Sequence, residues 1–103
     1  MFAVEVRDHV MVAHSLPAPV FGPAQGLHGA TFTVDAAFFA PDIDRHGIVV
    51  DIGLATEALG RALAPLRYAN LDTVFPGEFT TTEFLCRHIW RALEAAARDG
   101  GLG

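Results

Sequence analysis

Charge is scarce in this chain. Asp, Glu, Lys and Arg make up only 18% of its 103 residues, against 51% hydrophobic ones. No basic excess exists either: the formal net charge is −5, which leaves no electrostatic footprint for nucleic acid or an anionic membrane surface. Cysteine occurs once, at Cys86, so an intrachain disulfide is excluded, and a reducing, cytoplasmic setting is expected. The N-terminus lacks a charged segment leading into an apolar core, so no signal peptide is expected. A long unbroken hydrophobic run is missing as well. Val10 to Val34 carries no Asp, Glu, Lys or Arg, but Pro17, Pro19, Pro23, His14, His28 and several glycines interrupt it. A membrane-spanning helix would not tolerate that load.

What is present is apolar and short. A chain of this length forms one domain, residues 1–103, and buries only a modest fraction of its surface. A composition this hydrophobic therefore predicts association with other chains.

Periodicity assigns the elements. Phe2, Val4 and Val6 alternate with Ala3, Glu5 and Arg7, which predicts a strand with one buried face continuing to Ala13-His14. Ser15 to Gly26 reads as a loop, and a second strand follows over about Leu27 to Phe39. Leu54, Ala58, Leu59, Ala62 and Leu63 share one face of a helix that Pro65 ends. Arg67 to Phe79 reads as a loop. Thr80-Thr81-Thr82-Glu83 has the form of a capping box opening a second helix, whose apolar stripe is Phe84, Leu85, His88, Ile89, Ala92, Leu93 and Ala96. Gly100-Gly101 stops it. The expected class is α+β in the order strand, strand, helix, helix. A lone hairpin has two open edges, so further strands are expected from outside this segment.

Among candidate functional residues, His14 ends the first strand and His28 begins the second. Pairing of the strands brings the two imidazoles together as candidate metal ligands, although a catalytic zinc ordinarily takes three protein ligands. The alternative is a pair of hydrogen-bonded or surface histidines. Asp51 reads as a helix N-cap, Cys86 as a small packed residue, and His88 as a core or interface histidine.

Five short segments share their order with one family. Ala13-His14 is followed by Leu27-His28-Gly29, Gly47-Ile48-Val49-Val50-Asp51-Ile52, Leu66-Arg67-Tyr68-Ala69-Asn70-Leu71-Asp72 and Thr81-Thr82-Glu83-Phe84. Together they resemble the 6-pyruvoyl-tetrahydropterin synthase and 6-carboxytetrahydropterin synthase family, the latter of queuosine biosynthesis. The resemblance implies the tunnelling fold, or T-fold: an antiparallel sheet with two helices on one face. The family's two further strands after the second helix are not expected within this sequence. The resemblance also implies a zinc-dependent carbon–oxygen lyase that assembles as trimers and hexamers.

The matches are incomplete. In the family, zinc is held by the histidine ending the first strand and by both histidines of a His-Gly-His motif opening the second. Here the set is His14, His28 and Ala30, which implies zinc bound weakly or not at all unless His46, Asp44 or Asp35 substitutes. The family's cysteine base corresponds to Ala24, and its Asp-His pair to Arg67 and Tyr68. Tyr68 would carry proton transfer only with a lowered pKa, and its other reading is a partly buried aromatic. Glu83 matches the glutamate that grips the pterin, and the capping box competes for the same side chain. The expectation is a divergent family member that binds a pterin-like ligand, with the standard lyase reaction lost or altered. The alternative is a non-catalytic structural or regulatory T-fold subunit assembling with itself or an active paralogue.

Overall fold

The computed structural model describes residues 1–102. Two strands, β1 (Phe2–His14) and β2 (His28–Ala40), form an antiparallel hairpin whose register pairs Phe2 with Ala40 at one end and His14 with His28 at the other. Each strand is 13 residues long, and at about 3.3 Å per residue this pair gives the molecule its long axis of 52 Å. Three helices follow: α1 (Ile52–Leu63), the single-turn α2 (Leu71–Val74) and α3 (Thr82–Arg98). The order of strands and main helices is the one expected. Short 3₁₀ segments within the first loop, Pro19–Gln25, and α2 within the second are additions.

Period-2 alternation divides the hairpin. Val6, Val10, Val12 and Ala36 are buried, with Val4, Phe32, Val34 and Phe38 packed around them. Glu5, Arg7, His9, Thr31, Thr33 and Asp35 point to the other, open face. There Arg7 Nε donates to Asp35 Oδ1 at 2.6 Å, a directly cross-strand ion pair. Helices α1 and α3 cover the apolar face through Ala55, Ala58, Leu59, Leu63, Leu85 and Ile89. The expected stripe of α1 is corrected at its start. Leu54 is exposed, and Ala55, one residue on, is fully buried. In α3, Ala92 likewise lies outside the buried stripe.

The caps account for the helix ends. Asp51 accepts the Leu54 N–H at 3.0 Å, as an N-cap should. At the start of α3 the expected capping box is absent. Thr81 is the N-cap, accepting the Phe84 N–H at 3.1 Å. Glu83 therefore sits at the second helical position, one residue short of where a box glutamate reaches back. Gly100 adopts φ +75° just past α3, a left-handed conformation that costs glycine little.

The outer edge of β1 is not left open at its C-terminal end. The Tyr68 N–H donates to Met11 O at 2.7 Å and the Ala13 N–H to Ala69 O at 2.9 Å. The segment between α1 and α2 thus lies beside the strand and brings residues 67–72 to the end that carries His14. The outer edge of β2 has no strand beside it among the described residues. No helix among them is long and apolar enough to cross a membrane.

Candidate functional site

His14 and His28 meet as the last register pair of the hairpin, with ring centroids 4.6 Å apart. His14 is 4% exposed. Its Nδ1 lies 3.0 Å from both the carbonyl oxygen and Oγ1 of Thr80, itself fully buried just before α3. The Nδ1 of His28 lies 2.9 Å from the Gly26 carbonyl oxygen. A carbonyl only accepts, so each Nδ1 carries the proton and donates it. In its neutral form each ring then presents a lone pair at Nε2. Neither Nε2 makes a hydrogen bond, and no unpartnered side-chain nitrogen or oxygen is sealed from solvent among the described residues. The two Nε2 atoms are therefore reached from outside.

A third group joins this pair. Asp72, in the first turn of α2, accepts the Ser15 N–H at 3.0 Å and the Ser15 hydroxyl at 2.6 Å. These two bonds, in that order of hydroxyl then backbone, hold its carboxyl below the usual range, and the nearby His14 and His28 push the same way. Asn70 caps α2 through the Asp72 N–H and so fixes the residue's position. Phe21 and Phe79 meet at an interplanar angle of 42° with centroids 5.6 Å apart, and Phe79 adjoins Thr80 in the chain.

Of the residues singled out from sequence, His14 and His28 come together. Glu83 is exposed at the start of α3, two residues past its N-cap, and makes no hydrogen bond among the described residues. Its capping role is thereby removed. Tyr68 is 84% exposed, which corrects the reading of it as a partly buried aromatic. Its φ of +54° is unusual for a non-glycine residue and stores strain. Arg67 does not face it. The guanidinium donates to Asp8 Oδ2 and His9 O, both at 2.8 Å, and so clamps β1. Cys86 is exposed rather than packed. His88 is half-buried edge-on against Phe75, with centroids 4.9 Å apart.

The residues fit zinc in tautomer and fail it in number. Both Nε2 lone pairs are available, but Ala30 stands where a third imidazole would share the strand face. The two carboxylates named as substitutes are engaged elsewhere. Asp35 pairs with Arg7 on the opposite face, and Asp44 accepts the N–H groups of His46 and Ile48. Among the described residues no three His, Cys, Asp or Glu side chains converge to hold a metal ion.

Sequence reasoning missed Thr80, Ser15 and Asp72. The Ser15–Asp72 pair spans 57 residues and the His14–Thr80 pair 66, so local patterning carries no trace of either. Asn70 two residues before Asp72 is the one local signal, an Asn cap with an acid in the first turn.

The model of the family described as 6-pyruvoyl tetrahydropterin synthase matches residues 3–102. No curated protein sequence matches the chain. Among solved structures, the chain is similar to the 6-pyruvoyl tetrahydropterin synthase of Caenorhabditis elegans. The TM-score is 0.83 at 19% identity, over 91% of this chain and 77% of the other. The likeness identifies the architecture as the T-fold. With the family model covering nearly every residue, this chain belongs to the 6-pyruvoyl tetrahydropterin synthase family.

Proposed function

We propose that the protein is a divergent member of its family that binds a pterin-like small molecule, with the standard lyase chemistry lost or altered. The observation that carries this reading is the meeting of His14 and His28 at 4.6 Å beside the N-terminus of α3. That pairing supports a ligand site at this end of the fold. The proton-moving groups are not kept. Ala24 and Ala30 have no ionisable side chain, Arg67 is committed to Asp8 and His9 O, and Tyr68 projects into solvent. Losing several independent groups is unlike tuning one step. Zinc is held weakly or not at all, and Tyr68 is the one remaining side chain at the family's Asp-His positions able to exchange a proton. Glu83, free of any cap, is left to grip amino and ring N–H groups of the ligand.

Calorimetry with neopterin and sepiapterin on wild type and Glu83→Ala tests the reading. Binding by the wild type that weakens about tenfold or more in the variant is the expected result. Equal affinities would remove Glu83 from the site. Elemental analysis showing one tightly held zinc per chain would contradict the altered-chemistry reading.

A second reading has its own observation. Phe39 is 66% and Trp90 60% exposed, and both line a groove beside the outer edge of β2. A structural subunit in the cytoplasm, paired with copies of itself as a trimer or hexamer or with a paralogue, would cover such a surface. Native mass measurement distinguishes the two: a lone monomer counts against the subunit reading.

A further inference from the structure

The two strands of the hairpin treat their outer edges in opposite ways. On β1 the odd-numbered residues turn their backbone groups outward, as the bonds at Met11 O and Ala13 N show. From His9 onward the chain satisfies these groups itself. The Asp8 carboxylate accepts the His9 N–H at 2.7 Å, and Arg67 donates to His9 O at 2.8 Å. Residues 68–69 take Met11 O and Ala13 N.

On β2 nothing comparable happens. The register sets odd residues opposite odd ones, and opposed residues alternate between hydrogen-bonded and non-bonded pairs. The N–H and C=O groups of Gly29, Thr31, Thr33, Asp35, Ala37 and Phe39 therefore all point away from β1. Among the described residues none of these groups has a partner. The usual protections of an edge strand are missing too. β2 holds no proline, lysine or arginine, and its register runs without a bulge. Its one carboxylate, Asp35, is spent on Arg7 of β1 at 2.6 Å.

Helix α3 carries a matching surface above this edge. Besides the stripe that it buries, Cys86, Trp90, Leu93 and Ala97 line the groove along β2. Their intervals of four, three and four residues are those of a seam that packs against another helix. Charges of both signs flank the seam. Arg87 has no acidic partner among the described residues, its guanidinium lying 5.7 Å from the Phe84 ring centroid. Glu94 has only a loose 3.5 Å contact with Arg98 there.

We infer that a second copy of this chain pairs with the first across a twofold axis, β2 antiparallel to β2 and α3 against α3. The axis stands perpendicular to the sheet, so the even-numbered apolar side chains of both strands stay on the helix-bearing side. An antiparallel α3 seam layers Trp90 against Leu93 and Cys86 against Ala97 of the second copy. The same register sets Arg87 beside Glu94 of the second copy, in two symmetric pairs. Head-to-tail pairing of β2 with β1 of a next copy is blocked from His9 onward by Arg67 and residues 68–69. This narrows the subunit reading above to one contact and is independent of pterin binding.

Native mass measurement and hydrogen exchange on the full chain test it together. At micromolar concentration a dimer is expected, with the odd-numbered β2 amides from Thr31 to Ala37 protected. Dilution to nanomolar should speed their exchange about tenfold or more, while the even-numbered amides bonded to β1 stay protected. Arg87→Glu and Glu94→Arg are each expected to weaken the dimer about tenfold, and the double reversal to recover it. A monomer at micromolar concentration would overturn this pairing and the subunit reading together. A trimer, or a dimer whose odd-numbered β2 amides exchange freely, would overturn the twofold strand pairing and leave the subunit reading standing. Failure of the double reversal to recover the dimer would overturn the antiparallel α3 seam.

Discussion

The hairpin end that carries His14 and the flank that carries Phe39 are built by opposite means. At the His14 end, His14 is buried and His28 and Asp72 are half-buried, and each has a partner: Thr80 for His14, Gly26 for His28, Ser15 for Asp72. Along the flank, apolar groups sit at the surface with nothing against them, Phe39 and Trp90 foremost. Burying polar atoms is tolerated only where their bonds are replaced, so the first arrangement demands side chains placed from distant parts of the chain. The second demands nothing of this chain and leaves its apolar area for another surface. One end is specified from within. The other leaves its apolar side chains exposed.

The two regions share a core, and removing a piece of it should disturb both. Leu63 is fully buried between α1 and the hairpin. Leu63→Ala is expected to destabilise by about 2–5 kcal/mol, read as a lower denaturation midpoint with an unchanged slope. A loss under about 1 kcal/mol would mean that the hairpin end and the flank stand without a common core.

Asp72→Asn tests the polar end alone. The amide cannot accept both Ser15 donors, so a loss of about 1–3 kcal/mol is expected at neutral pH. The sign of its pH dependence follows from the lowered native pKa. The carboxylate stabilises fully above its ordinary value of 3.8, and this contribution fades as pH falls through the native value. The difference between wild type and variant should hold constant above that point and narrow below it. A difference that grew with acid would mean that Asp72 is not held by Ser15.

Much of this architecture was legible in the sequence, and the illegible part follows a rule. Val4, Val6, Val10 and Val12 mark a strand because alternation is a local property, and Asp51 and the run Thr80-Thr81-Thr82 mark helix starts for the same reason. The frame of α3 slipped by one residue because three consecutive threonines offer three possible caps, and only the path of the chain through Thr80 to His14 selects Thr81. The pairing of His14 with His28 was legible because a hairpin joins its own ends. Asp72 and Thr80 were not, since their partners lie 57 and 66 residues away. Tyr68 reads from the sequence as a partly buried aromatic. Its exposure follows from the turn that sends its N–H to Met11 O, a long-range bond with no local signature.

That turn supplies the next test. Tyr68→Gly keeps the N–H and removes the β-carbon that makes φ +54° costly. The expected result is a gain of about 1 kcal/mol, a rare case in which truncating an aromatic residue stabilises. A loss of stability would show that the ring has packing contacts in solution.

The smallest effect is expected on the flank, and its smallness is the point. Trp90 is 60% exposed on α3, so Trp90→Ser removes little that the single chain buries. Monomer stability measured at nanomolar concentration should change by less than about 0.5 kcal/mol. At micromolar concentration the comparison changes meaning. If copies of the chain cover this groove, the indole is buried by association and its loss must lower the assembled fraction seen in native mass spectrometry. An equally small effect at both concentrations would show that the flank is exposed apolar surface and nothing more. The contrast between the two regions would then rest on the polar end by itself.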